Sequence, residues 1–508
     1  MSLSIQHLAA VDLGSNSFRM LVGKASEDRH GAQIYPLDSL REPVRLGAGL
    51  DANKNLTEES QQRALATLSR FGERLRQFQP ERVRAVATNA VRVAKNAQAF
   101  LERAQAALGF PIEVIAGREE ARLVYIGAAH SVAPAAGNRL VVDIGGGSTE
   151  FIVGAGLEPR IMESLYIGCV SMSRDFFPGG FVDEQRMKSA ELAAQREIQI
   201  IARAFRKAGW TNAVGSSGTA RALADILVGN QLNTSAQSQG ITRAGLRELR
   251  KIYVRAGDLS ALKMVGLKHD RLPVAAGGLA IMLAVFEELG LKDMEATDAG
   301  LRLGVLYDLL GREQHQDMRA LTVQQFMQRY GVDAGQASRV EALALALLLQ
   351  LYPQASSAEQ QAVRWAAELH EVGLSIAHSA YHKHSAYIVA NADMPGFSRS
   401  EQATIAEMVL CHGGKLKKLG GLDTLNLDLR AVLALRLAVL LARNRHDVDI
   451  SGLRLVPGSS GDGVRGARLQ VSSPWLKASP LTQYSLEQEV AEWRRAGVEL
   501  RLEAVQIA

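Results

Sequence analysis

Val141-Val142-Asp143-Ile144-Gly145-Gly146-Gly147-Ser148-Thr149-Glu150 is the stretch that decides how this chain folds. An apolar run ends in Asp, a tight series of Gly and hydroxyl residues follows, and a second apolar run begins at Phe151–Val153. The pattern reads as strand, turn, strand. Near the N-terminus the chain writes it once before, as Ala10-Val11-Asp12-Leu13-Gly14-Ser15-Asn16-Ser17 leading into Phe18–Val22. Glycines let backbone N–H groups approach an anion closely, Ser and Thr hydroxyls add donors, and the Asp can hold a divalent cation. One Asp-x-Gly marks an ordinary turn. Two copies with matching apolar flanks predict a pair of hairpins clamping phosphate across an interdomain cleft.

Outward from the hairpins, strand and helix signals alternate, which is α/β architecture. Thr57, followed by Glu58 and Glu59, opens a helix carrying Leu65, Leu68, Leu75 and Phe78 at helical spacing, with Pro80 as its stop. Strands are expected at Val83–Thr88 and Ile112–Ala116, with a helix over Ala97–Leu108 between them. A long helix near Asp183–Ala208 precedes Ala213-Val214-Gly215-Ser216-Ser217-Gly218-Thr219, a third candidate phosphate or ligand loop. Gly277-Gly278 and Thr297-Asp298-Ala299-Gly300 close this half, and the absence of GxxxxGK[ST] argues against a P-loop NTPase. From Arg319 to about Arg445 the chain is helix-rich, and from about Val448 short strands return, at Leu453–Val456 and Ala467–Val471, before a helix near Leu486–Ala496. Gly458–Gly466 reads as a loop. The expected division is 1–124, 125–310, 311–446 and 447–508.

The 508 residues exceed what one core can organise. A hydrophobic share of 47% with 22% charged residues is ordinary for a globular protein. The net charge of +5 is too small at this length to imply nucleic-acid binding. Between Arg243 and Arg271, however, stand Arg243, Arg247, Arg250, Lys251, Arg255, Lys263, Lys268 and Arg271 against Glu248, Asp258 and Asp270. That field admits two readings, attraction of a polyanion or a solvated helix face. Cys169 and Cys411 alone supply no disulfide framework and suit a reducing compartment. No signal peptide is visible, and Ala342–Leu351 and Ala431–Ala442 are too short to span a bilayer. The expectation is a soluble cytoplasmic protein without an integral membrane segment.

Together these motifs resemble the actin-like ATPase superfamily, and within it the exopolyphosphatase and guanosine pentaphosphate phosphohydrolase family. The resemblance is carried by the two hairpins, Gly117-Arg118-Glu119-Glu120-Ala121-Arg122-Leu123 and Gly215-Ser216-Ser217-Gly218-Thr219. It continues in Gly300-Leu301-Arg302-Leu303-Gly304-Val305-Leu306 and Leu369-His370-Glu371-Val372-Gly373-Leu374, and so covers essentially the whole chain. It implies two actin-like (ribonuclease H-like) domains, a helical HD-like domain, a small α+β C-terminal domain, and a homodimer. Adjacent helical residues point about 100° apart, so only one of Glu119 and Glu120 can aim into a cleft. On spacing alone both suit a helix N-terminus. The resemblance implies Glu120 as the catalytic carboxylate.

Hydrolysis of a terminal phosphoryl group needs an oriented water, a base for it, and donors or metal for the oxygens. Glu120 would take the water's proton, and Asp143 and Glu150 would hold Mg²⁺. Backbone N–H groups of Ser15, Asn16, Ser17, Gly145, Gly146 and Gly147, with the Ser148 hydroxyl, would cradle phosphate. Asp12 would support the metal or brace its hairpin. Arg92, just after a strand, could grip phosphate bidentately, and Arg19 reads equally as a ligand or an exposed strand charge. Arg196, Arg203, Arg206 and Lys207 on the 183–208 helix form a polyanion track or a solvated face. The HD-like segment offers His370-Glu371 but has Glu341 and Arg436 where metal ligands are needed, which predicts a degenerate metal motif whose basic groups (Lys415, Lys417, Lys418, Arg436) guide a polyanion. The expected function is Mg²⁺-dependent, processive removal of orthophosphate from polyphosphate, with guanosine pentaphosphate as the competing substrate. An ATP-dependent kinase or chaperone of the superfamily is the reading from another class.

Overall fold

The computed structural model describes residues 6–28, 31–133, 136–233, 240–313, 317–416, 427–458 and 466–505. The chain divides into two compact units, Met1–Met318 and Arg319–Ala508.

The first unit is built on two sheets of related design. In one, β1 (Gln6–Leu13), β2 (Phe18–Asp28) and β3 (Gly31–Glu42) form an antiparallel meander, and β4 (Val83–Ala87) and β5 (Ile112–Val114) add in parallel, in the order β3-β2-β1-β4-β5. The other repeats this plan. Here β6 (Arg139–Ile144), β7 (Thr149–Ala155) and β8 (Glu158–Leu165) are the meander, β9 (Asn212–Ser216) and β11 (Asp293–Thr297) lie parallel beyond β6, and β10 (Ile241–Thr242) closes the edge. Each Asp-Gly motif is the β1–β2 or β6–β7 turn, so each occupies the same place in its sheet.

Helices cover both sheets: α1 (Glu58–Leu75), α2 (Asn89–Val93), α3 (Ala97–Leu108), α4 (Gly117–Ser131), α5 (Cys169–Phe176), α6 (Glu184–Ala208), α7 (Gly218–Gly229), α8 (Arg243–Ala256), α9 (Leu272–Leu289) and α10 (Leu301–Glu313). Thr57 caps α1 and Asp183 caps α6, each accepting from an N–H of the first turn. The first of these helices ends at Leu75, ahead of the expected stop at Pro80, and Phe78 lies in the turn beyond it. Gly277 and Gly278 lie inside α9 and form no loop; a side chain at Gly277 would strike Ser173 and the Cys169 carbonyl of α5. By length and composition α9 could cross a bilayer, yet 67% of its apolar window is buried in the core of the second sheet's layer.

The second unit gathers α11 (Met318–Arg329), α12 (Ala334–Leu351), α13 (Ser357–Leu369), α14 (Tyr381–Asn391), α15 (Arg399–Cys411) and α16 (Leu429–Leu441) around one core. Its tail forms β12 (Leu453–Pro457), β13 (Gly466–Ser472), α17 (Ser473–Ala478), α18 (Pro480–Arg495) and β14 (Glu499–Val505), with sheet order β12-β13-β14. The closing strand β14 was not expected from the sequence. It runs parallel to β13, and its outward Glu499, Arg501 and Glu503 mask its strand character.

Candidate active site

The two hairpins meet. A Cβ placed on Gly146 would lie 2.9 Å from the Ser15 Cβ and 3.3 Å from the Asn16 nitrogen. Glycine is therefore required for this approach. Behind each turn the carbonyls are already bonded. Gly47 and Arg45 donate their N–H groups to the Ser15 and Asn16 carbonyls, and Cys169 and Val170, at the start of α5, donate to Gly145 and Gly146. Among the described residues no backbone acceptor stands opposite the N–H groups of Ser15, Asn16, Gly146 or Gly147. Bonding the carbonyls on one side leaves donors facing the other, which is the electrostatics of an anion cradle. The Ser217 side chain caps α7, whose N-terminus with Gly218 and Thr219 lines the same space.

That space is a cleft of about 350 Å³. Asp12, Ser15, Asn16, Ser17, Arg19, Glu120, Asp143, Gly145, Gly146, Gly147, Ser148 and Glu150 all line it. The Glu119-Glu120 pair divides as the 100° rule requires. Glu119 turns inward, accepting from Arg122 at 2.8 Å, and belongs to a buried network with Arg84, Arg122 and Asp308. Glu120 turns to the cleft and accepts from Arg92 Nη1 at 3.0 Å. Ser216 donates to Asp143 at 3.3 Å, and Ser164 to Glu150 at 2.8 Å.

Four carboxylates crowded into one cleft resist ionisation. Burial, opposed by Arg19 and Arg302, holds Asp12 up at about 6. Asp143 rises to about 8 through burial and the nearby Glu120. Glu120 is raised by burial against the pull of Arg92, and Glu150 is raised well above the carboxylate range by burial, Glu120 and Asp143.

Residues 25–313 match the model of the Ppx/GppA phosphatase family and residues 318–490 that of its domain III. The chain belongs to the Ppx/GppA phosphatase family. Similar solved structures are a family member from Aquifex aeolicus and an exopolyphosphatase from Cytophaga hutchinsonii. The first is 28% identical, with TM-score 0.51, and the match covers 61% of this chain and all of that one. The second is 26% identical, with TM-score 0.54, covering 60% of this chain and 98% of that one. The fold is thus the actin-like one expected, followed by a helical domain III, and the protein is a phosphoanhydride hydrolase.

The phosphatase has an acidic cluster suited to a divalent cation. Its donors are hard oxygens, they repel one another, and Asp12 Oδ1 is buried without a partner. No three His, Cys, Asp or Glu side chains among the described residues are placed to hold an ion alone. Asp143 and Glu150, which line the cleft, could hold a divalent cation only together with water or phosphate oxygens.

Several assignments change. Arg92 does not line the cleft as a phosphate grip, because its side chain is 3% exposed and donates to Glu120 and the Ile115 carbonyl. Arg196 lies outside the cleft, 81% exposed and paired with Glu197. The basic field of 243–271 is bonded away in part. Arg243 donates to the Leu291 and Phe286 carbonyls, Arg250 pairs with Glu184 and Glu191, and Lys251 pairs with Glu248. Arg271 alone of that field lines the cleft, beside Arg19 and Arg302. The motif Gly300–Leu306 gives Arg302 no role by itself, but in the cleft burial and Arg19 lower its pKa to about 10. Its one sequence signal is an Arg two residues after Gly300, in the first turn of α10.

In the second unit Arg436 is no polyanion guide. It is buried and bonded to Glu489 and the Cys411 carbonyl, so a cation fills the place where a metal ligand was needed. Lys415 is exposed, while Lys417 and Lys418 lie outside the described residues.

Proposed function

We propose that this phosphatase is a cytoplasmic exopolyphosphatase that removes orthophosphate, one unit at a time, from the end of linear polyphosphate with Mg²⁺. The observation that carries the reading is the position of Glu120 in a cleft that the pair of donor-rich hairpins also lines. The terminal phosphoryl group enters the cradle of Ser15–Ser17, Gly145–Gly147 and Ser148. Glu120 accepts a proton from water as the water oxygen bonds to phosphorus, and the bridging P–O bond breaks toward the shortened chain. Arg92 keeps the Glu120 carboxylate aimed, while burial raises that carboxylate's proton affinity above the ordinary value, which favours its work as a base. A bound Mg²⁺ supplies charge neutralisation for the phosphate oxygens. Arg19, Arg271 and Arg302 give the rest of the polyanion a cationic wall, and the Cytophaga hutchinsonii relative is itself an exopolyphosphatase. The two buried free cysteines suit a reducing compartment.

Orthophosphate release from long polyphosphate, guanosine pentaphosphate and ATP, measured side by side with Mg²⁺, tests this. Rapid release from polyphosphate without mid-length chains is expected. Preference for guanosine pentaphosphate would move the assignment to the alarmone branch. Glu120→Gln should abolish turnover and leave polyphosphate binding nearly intact, because the amide keeps the shape but takes no proton. Full turnover in that variant would place the base elsewhere.

A further inference from the structure

Asn89 opens α2, directly after β4, and lines the cleft while being 7% exposed. Its carboxamide lies at the junction of the two hairpins. A Cβ on Gly147 would lie 2.3 Å from Asn89 Oδ1 and 3.5 Å from Ser15 Oγ. Asn89 Nδ2 is buried and has no hydrogen-bond partner. A buried amide donor left unpaired costs folding free energy, and its retention calls for an acceptor that arrives from outside the chain. The two ends of a carboxamide exchange by a half-turn about χ2, so either end can be presented to the cleft. What arrives between two rows of N–H groups is an anion with several oxygens.

We propose that the Asn89 carboxamide donates to an oxygen of the terminal phosphoryl group and fixes the phosphorus in line with the water held by Glu120. Three residues along the same short helix, Arg92 bonds Glu120. Positions i and i+3 of a helix share a face. One element therefore sets both partners of the reaction, the phosphoryl through Asn89 and the base through Arg92. A carboxamide suits the task because it donates without titrating. It adds neither a negative charge that would repel phosphate nor a positive one that would draw Glu120 from its place. The inference rests on the phosphoryl-transfer reading of the cleft and adds to it a substrate-binding residue.

Steady-state kinetics and thermal melts of the wild type, Asn89→Ala, Asn89→Asp and Glu120→Gln test it together, using polyphosphate or guanosine pentaphosphate, whichever the wild type hydrolyses. In Asn89→Ala, kcat should fall by roughly two orders of magnitude, as for loss of one oxyanion donor. KM should change little, because the arginines still hold the chain, and the melting temperature should stay level or rise, because an unpaired buried amide is gone. Asn89→Asp keeps the shape and should lose more, since its carboxylate faces phosphate. Wild-type kcat in Asn89→Ala would overturn the proposal. So would a lowered melting temperature with kcat and KM moving together, which marks a structural role. Full activity in Glu120→Gln would instead remove the reading of the cleft itself, and the proposal with it.

Discussion

Asp12, Glu120, Asp143 and Glu150 share one pocket in which every ionisation makes the next harder. A carboxyl whose folded pKa is raised contributes stability below its unfolded pKa, near 4, and loses it as pH rises through the folded value. For Asp143 that window runs to about 8. The protein held in chelator should therefore lose stability steadily from about pH 4 to pH 8, and a divalent cation should restore it. Asp143→Asn should flatten the profile and stabilise the metal-free protein at pH 8 by a few kcal/mol, while abolishing turnover. Chemical denaturation across this range checks both. A metal-free wild type most stable at pH 8 would contradict the arrangement. That Asp143 and Asp12 would stand at paired turns was legible from their hairpins, and both line the cleft. That Arg92 would bond Glu120, and that Asn89 would reach the cleft, was not, since the first depends on where α2 lands against α4 and the second on where it lands against the β6–β7 turn.

Among the helices, the contact between α4 and α10 places the chemistry. A Cβ on Gly304 would lie 1.8 Å from the Leu123 carbonyl oxygen, and one on Gly127 would lie 2.0 Å from that of Gly300. The two helices thus cross backbone to backbone, and each brings a residue to the cleft, Glu120 from α4 and Arg302 from α10. Buried ion pairs reinforce the crossing, with Asp308 of α10 bonded to Arg122 of α4 and Arg84 of β4. Those arginines hold the Asp308 carboxyl well below its ordinary range. Gly304→Ala should destabilise the first unit by about 1–3 kcal/mol through overpacking, and it should lower kcat by displacing Glu120. Melting temperature and kcat measured together check this. Loss of stability with unchanged kcat would show that the crossing supports the fold without aiming the base.

Across the whole molecule the chain is two compact units, and the cradle, the acids and the cationic wall all belong to the first. A ligand stabilises only the unit that binds it. Calorimetry of the full chain should resolve two transitions, of which Mg²⁺ with orthophosphate raises one alone. A shift of both would mean that the second unit also takes phosphate.

The sequence by itself determined what a short run of residues can encode. Apolar flanks and Asp-Gly turns specified the hairpins, Thr57 and Asp183 specified helix starts, and alternation specified the α/β class, because these depend on hydrogen bonds and periodicities a few residues long. Only the tertiary structure decided which charges meet. Arg84 and Asp308 pair across 224 positions, and Arg271 and Arg302 reach the cleft while Arg243 and Arg250 are bonded elsewhere. Composition counts those arginines alike. Their effect depends on distance and burial, which are fixed only when the two sheets and their helices pack.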